Sequence, residues 1–370
     1  MYLKPSRHKR MRRRTSILIV IAIVVAAVAG VLLYLDNFTE FSFSKPLLKE
    51  TETRLPETAV ASSGGILYLS EGTLYLLDAN GGTVWDIKQD LADSKVTCSD
   101  TLICTYAQKS LQVLSFTKEQ LFSTSLDADI MDVRCGQSSI AALTSAADET
   151  GALQYYISLY NDKGEAAAKR IELASKPVID FGFNADGDLF WVLSLDSSGV
   201  VPVSYITTYK TDGSITGSIE IDTQVVEKVY VTSDSIFASG TNDLLSYSYV
   251  GAKQADTLIY GWKPAGDSID VNNLKAAYIS RASVATIESV RIYNSNLSYN
   301  TVHLPRDVFS LTLSPTKLFA YTPNAIYSYT LEGKLDKTTE TDQTITGVKQ
   351  LSDDIALVWD QDKSYIMHLS

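Results

Sequence analysis

A short phrase recurs along most of this chain, and its spacing limits the fold more than any other feature. A charged residue leads into an apolar run at Lys95-Val96, Asp132-Val133, Asp180-Phe181, Lys228-Val229, Asp270-Val271 and Asp307-Val308, with Gly347-Val348 as a weaker copy. Successive copies lie 37, 48, 48, 42, 37 and 40 residues apart. A period of that size is one four-stranded propeller blade.

The content of each unit agrees with strands. Runs rich in Val, Ile, Tyr, Phe and Thr, such as Ile66–Leu69, Thr73–Leu77, Leu189–Leu193, Tyr205–Tyr209, Ile326–Tyr329 and Ile355–Trp359, are separated by Gly, Asn, Asp and Ser. Such residues suit a half-buried pleated surface. Glycine turns follow at Leu77–Gly82, Tyr160–Gly164, Tyr209–Gly213 and Tyr329–Gly333, where a tight hairpin needs positive φ. Glu165–Arg170 is helix-prone but reads as the start of a strand after a turn. An earlier unit at about 58–88 makes eight, so the fold class is an all-β propeller of eight blades, with seven as the alternative. The last unit, 346–370, holds only three strands, and residues near 50–60 are candidates to complete it. Closure of this kind removes exposed sheet edges.

The N-terminus reads differently. Ser16 to Leu35 is 20 residues long without a charge, the length of one membrane-spanning helix. Seven basic residues precede it, from Lys4 to Arg14, and the first charge after it is Asp36. That asymmetry places the N-terminus in the cytoplasm and the rest outside, in a single pass through the cell membrane. Ala27-Val28-Ala29 offers a signal-peptidase reading, but the apolar run continues past it. The expected order is a basic tail (1–15), a transmembrane helix (16–35), a polar stalk (36–57) and an extracytoplasmic propeller (58–370).

The whole chain has 32 basic and 43 acidic residues, which leaves 25 against 43, or −18, beyond the helix. A domain so charged repels nucleic acid and favours cations or basic partners. Three cysteines are too few for a disulfide scaffold. Cys98 with Cys104, or Cys104 with Cys135, are the pairings open to them, as are three free thiols. No spacing suggests a metal site, and no nucleophile motif occurs. His303 and His368 have no catalytic context. Paired aspartates, Asp127/Asp129, Asp186/Asp188, Asp353/Asp354 and Asp360/Asp362, lie in turn-like contexts where Asp caps backbone amides. Asp132, Asp180, Asp270 and Asp307 take the same place in four units. Each either closes its own blade by a local hydrogen bond or joins an acidic ring around the channel, partly neutralised by Lys95 and Lys228.

The segment Gly72-Thr73-Leu74-Tyr75-Leu76-Leu77-Asp78-Ala79-Asn80-Gly81-Gly82-Thr83-Val84-Trp85 resembles the repeat of quinoprotein-like propellers, where a strand ends in Asp, a Gly turn follows and a Trp sits on the next strand. Other units keep the turn and lose the Trp. The whole layout is similar to a bacterial family of single-pass, membrane-anchored β-propellers with quinoprotein-like (PQQ-like) or WD40-like repeats. The resemblance implies a fold and a location. No adjacent Cys-Cys pair or histidine cluster supports a quinone, so no cofactor is expected. The expected function is a non-enzymatic, membrane-anchored scaffold presenting one propeller face to a protein or envelope polymer. A hydrolase or lyase using channel carboxylates and an envelope assembly factor are the alternatives.

Overall fold

The computed structural model describes residues 47–91, 93–167 and 169–369. The expected tail, transmembrane helix and the first half of the stalk lie outside these residues. Within them no helix is long and apolar enough to cross a membrane.

Eight antiparallel sheets of four strands each are formed by the described residues. Blades one to seven occupy residues 60–88, 95–125, 130–172, 178–221, 226–258, 262–303 and 310–340. Each runs in chain order from an inner first strand to an outer fourth. Blade eight takes three strands from the C-terminus, 347–368, and its outermost strand, Leu48–Glu50, from the N-terminal side. The expected count of eight and the borrowed strand are both present. The strand that closes the ring, Leu48–Glu50, reaches only the first residue of the 50–60 window, so the fold begins inside the stretch read as stalk.

Burial explains the layering. Second strands such as Ser235–Gly240 and Ile355–Trp359 are buried at every position because blades pack against both faces. Fourth strands such as Lys253–Leu258 alternate exposed and half-buried. The core is a ring of clusters between neighbouring blades. Ile206, Ile219 and Trp191 of blade four, for example, pack on Val229, Ile236 and Tyr247 of blade five. Burying a side chain of that kind stabilises by roughly 1.5–3 kcal/mol.

The turn between third and fourth strands repeats with the same geometry. In seven blades an N–H donates back to the carbonyl three residues earlier, from Gly81, Lys118, Gly164, Gly213, Gly251, Leu297 and Gly333. All seven donors have positive φ. Five are glycines, as a left-handed conformation favours. Lys118 and Leu297 adopt it despite their side chains.

Closure is held by more than a ladder. Leu48, Lys49 and Glu50 pair with Met367, Ile366 and Tyr365. Beyond them the Thr51 N–H donates to the Ser364 carbonyl at 3.0 Å, and the Leu55 N–H donates to Ser364 Oγ at 2.8 Å. Trp359 Nε1 donates to the Leu55 carbonyl at 2.8 Å. Leu55 is itself buried between blades eight and one.

Two local expectations need correction. The described residues of 165–170 form no strand. They contribute a single bridge from Ala166 to Tyr160, and the outer strand of blade three is only Ile171–Glu172. Asp270-Val271 and Asp307-Val308 do not open strands. Asp270 ends the long strand Trp262–Asp270, and Asp307 sits in the turn before Ser310–Leu313.

Candidate functional site

The first-to-second and third-to-fourth strand turns lie on one face of the ring, and a cavity of about 1490 Å³ opens there into the channel. Its wall carries seven aspartates against one arginine and one histidine, Arg134 and His368. Several aspartates have local roles. Asp78 caps its own turn, accepting from the Asn80 and Gly82 amides at 2.7 and 2.9 Å. Asp100 accepts from the Ser63 N–H of blade one at 3.0 Å, and Asp270 from the Val271 N–H at 2.7 Å.

The four aspartates expected to form a ring are divided by the register. Asp132 and Asp180 follow the same bulge in blades three and four. Arg134 joins them, 2.7 Å from Asp132 and 3.6 Å from Asp180. Each also accepts from the N–H of the next residue at 2.9 Å. The Tyr106 hydroxyl donates to Asp132 at 2.8 Å. Asp180 lines the cavity, and burial raises its pKa. Lys228 takes the equivalent place in blade five, and Gly266 in blade six. Asp270 lines the cavity at its mouth, whereas Asp307 is an exposed turn residue with φ of 67°.

The acidic residue that matters most in blade six is Asp267. It holds the register position filled by Val133, Phe181 and Val229 in blades three, four and five. A carboxylate stands there because Lys228 of the preceding blade pairs with it. Blade eight adds Asp353 and Asp354 on the turn between its first two strands. The Asp353 carboxyl is pushed up to about 6, first by burial, then by the like charges of Asp267 and Asp354, while Ser268 and the Ile269 amide favour its ionised form.

Gln350 locks this wall in place. Its Nε2 donates to the carbonyls of Asp267 at 2.9 Å and Leu313 at 2.7 Å, and its Oε1 accepts from the Leu313 N–H at 2.8 Å. The inner strands of blades six, seven and eight are thereby tied together.

Opposite blade eight in the ring, Trp191 of blade four also lines the cavity. It is 5% exposed, and its Nε1 has no hydrogen-bond partner among the described residues. The indole reaches the wall because its cross-strand partner on the inner strand is Gly182. A Cβ there would meet the ring at 3.4 Å.

All three cysteines are free. Cys98 pairs with Ile103 and Cys104 with Thr97, so the register turns these two thiols to opposite faces of blade two, and that pairing is not formed. Cys104 and Cys135 meet as thiols between blades two and three, where burial raises Cys135 well above the ordinary thiol range. Burial also pushes Cys98 up to about 12. Thiols held protonated are poor nucleophiles. Among the described residues no group of three His, Cys, Asp or Glu is placed to hold a metal ion.

The fold has many solved counterparts. BamB from Moraxella catarrhalis matches with a TM-score of 0.55 and 10% identity, over 87% of this chain and 100% of that one. The C-terminal WD40 domain of Sif2 gives 0.58 and 13%, over 87% and 98%. The WD40 domain of SCAP from fission yeast gives 0.57 and 11%, over 88% and 97%. At such identity the likeness concerns the fold alone. No curated protein matches the sequence. The model of the family of unknown function DUF5711 matches residues 37–369, the whole of the described propeller and part of the stretch before it, and the chain belongs to that family.

Proposed function

We propose that this chain is a non-enzymatic binding module, anchored in the cell membrane by residues 16–35, that presents the cavity-bearing face of its propeller to an extracytoplasmic protein. The observation that supports this reading is the contrast within that face: a large open cavity whose unpaired charges are carboxylates. Propeller turns of independent sequence converge on one face of a rigid frame, which suits recognition.

The test is a photo-crosslinking residue at Val271, on the cavity lip, against a control at Val284, on a turn of the opposite face. Both are exposed. In native membranes the Val271 position should capture a defined partner that the Val284 position misses. Equal capture at both, or at neither, would refute the reading. Resistance of the full chain to alkaline carbonate extraction, lost when residues 1–35 are removed, tests the anchor. Stable recovery of membrane-protein partners would identify the binding role as envelope assembly.

A second reading, an extracytoplasmic hydrolase or lyase, draws on Asp353. A carboxyl poised near neutrality beside Asp267 is the arrangement a general acid needs. The Asp353→Asn variant separates the two: an enzyme would lose turnover at unchanged partner capture.

A further inference from the structure

We propose that the cavity holds an extended basic peptide segment, its Lys or Arg side chain on the wall formed by Asp267, Asp353 and Asp354 and a main-chain carbonyl on the Trp191 indole N–H. The inference rests on the binding reading above and specifies the chemistry of the partner.

Two independent observations meet here. The first is an acidic wall that the protein neutralises only at Asp267. Asp267 has Lys228, but the charges acting on Asp353 are those of Asp267 and Asp354, which are both negative. Like charges held together are destabilising in the empty state, and a bound cation converts that repulsion into affinity. Gln350 keeps the inner strands of blades six and eight from moving apart. The wall is therefore pre-organised, which lowers the ordering cost of binding.

The second is a donor with nothing to donate to. Three of the four tryptophans can be compared directly at Nε1. Trp85 donates to the Phe116 carbonyl at 2.9 Å and Trp359 to the Leu55 carbonyl at 2.8 Å, whereas Trp191 has no acceptor. A buried unpaired N–H forfeits the hydrogen bond that water gives it in the unfolded chain. This one lies over Gly182, where a Cβ would stand 3.4 Å from the indole nitrogen, and both residues line the cavity.

A simple cation would use the first feature and ignore the second. A peptide uses both, because it carries a cation and a main-chain acceptor on one chain. The volume agrees: about 1490 Å³ exceeds the roughly 300–1,000 Å³ of a usual small-molecule pocket. Bare metal ions fit poorly, since among the described residues no three acidic, histidine or cysteine groups are placed to coordinate one.

The experiment is fluorescence anisotropy on the full-length protein in detergent, with labelled nonapeptides rich in Lys/Arg, in Glu, or in Ser/Gly. The basic peptide alone should bind. Asp353→Asn with Asp354→Asn should weaken it at least about tenfold, and Trp191→Phe by about three- to tenfold, in line with lost charge-assisted and buried polar contacts. Glu149→Gln with Asp222→Asn, which removes two charges from turns of the opposite face, should leave affinity unchanged. Circular dichroism melts check that each variant is folded. Binding that falls equally in the opposite-face control would overturn the proposal, as would basic-peptide binding insensitive to Asp353 and Asp354. Spermine binding as tightly as the peptide, or insensitivity to Trp191→Phe, would overturn the main-chain contact. If Val271 still captures a partner while these variants have no effect, the peptide inference fails and the binding module stands. If Val271 captures nothing, the broader reading fails.

Discussion

Asp353 is the residue whose chemistry is set most clearly by its surroundings. Its carboxyl titrates near 6, well above an ordinary aspartate, because burial and two neighbouring carboxylates oppose its charge. A carboxyl raised on folding holds its proton more tightly in the folded state, so folding is favoured while the proton stays on. The contribution is complete below about pH 4 and is lost as pH rises through about 6. Asn imitates the protonated form. Asp353→Asn should therefore match the parent in thermal stability at pH 4 and exceed it at pH 7. The gain should be about 1 kcal/mol, allowing for solvent screening of a half-buried group. A melt that shows the same offset at both pH values would rule this out. Removing Gln350 acts in the other direction. Gln350→Ala leaves the Leu313 N–H and two carbonyls unpaired and should cost about 1–3 kcal/mol by denaturant titration.

At the scale of elements, the third-to-fourth strand turns show which parts of the fold were legible and why. Gly81, Gly164, Gly213 and Gly333 mark their turns because positive φ selects glycine. Lys118 and Leu297 take the same conformation and left no such mark. Lys118→Gly should thus stabilise blade two by about 0.5–1 kcal/mol, the cost of a left-handed L-residue less the entropy of glycine. An unchanged or lower melting temperature would mean that the Lys118 bond to the Asp86 carbonyl, 2.6 Å, outweighs the strain. Blade eight makes the complementary point. A missing fourth strand is visible in the length of the last unit, but its source is not. Leu48–Glu50 is three residues long, and what fixes it is Ser364, a fully buried hydroxyl that engages Thr51 and Leu55. Ser364→Ala should cost about 1–3 kcal/mol by stranding the Leu55 N–H. The acidic site was legible only in part for a related reason. Charged residues before apolar runs located Asp132 and Asp180, where the bulge repeats. In blade six the strand Trp262–Asp270 starts earlier than the spacing implied. The aligned carboxylate is consequently displaced from Asp270, and Asp267 sits where an apolar residue is usual. Trp191 gave no signal, because its exposure to the cavity depends on Gly182 across the ladder.

For the whole molecule, charge acts on stability and on binding with opposite sign. Beyond residue 35 the excess of acid over base is 18 charges, and seven aspartates of that excess crowd one mouth of the ring. Their mutual repulsion opposes the folded state and attracts a basic partner. Salt screens both over a Debye length of about 10 Å at 0.1 M. Raising sodium chloride from about 0.05 to about 0.5 M should raise the melting temperature, on the order of 1–3 °C for a propeller of this size. The same change should weaken the basic peptide about tenfold or more, since the attraction lies across a cavity open to solvent ions. The two trends isolate the cavity from the rest of the surface. In the Asp353→Asn, Asp354→Asn protein the salt dependence of binding should flatten, while that of melting persists through the remaining acidic residues. Melting and binding that respond to salt in the same direction, or a binding slope that survives loss of both carboxylates, would show that general surface charge rather than this wall attracts the ligand.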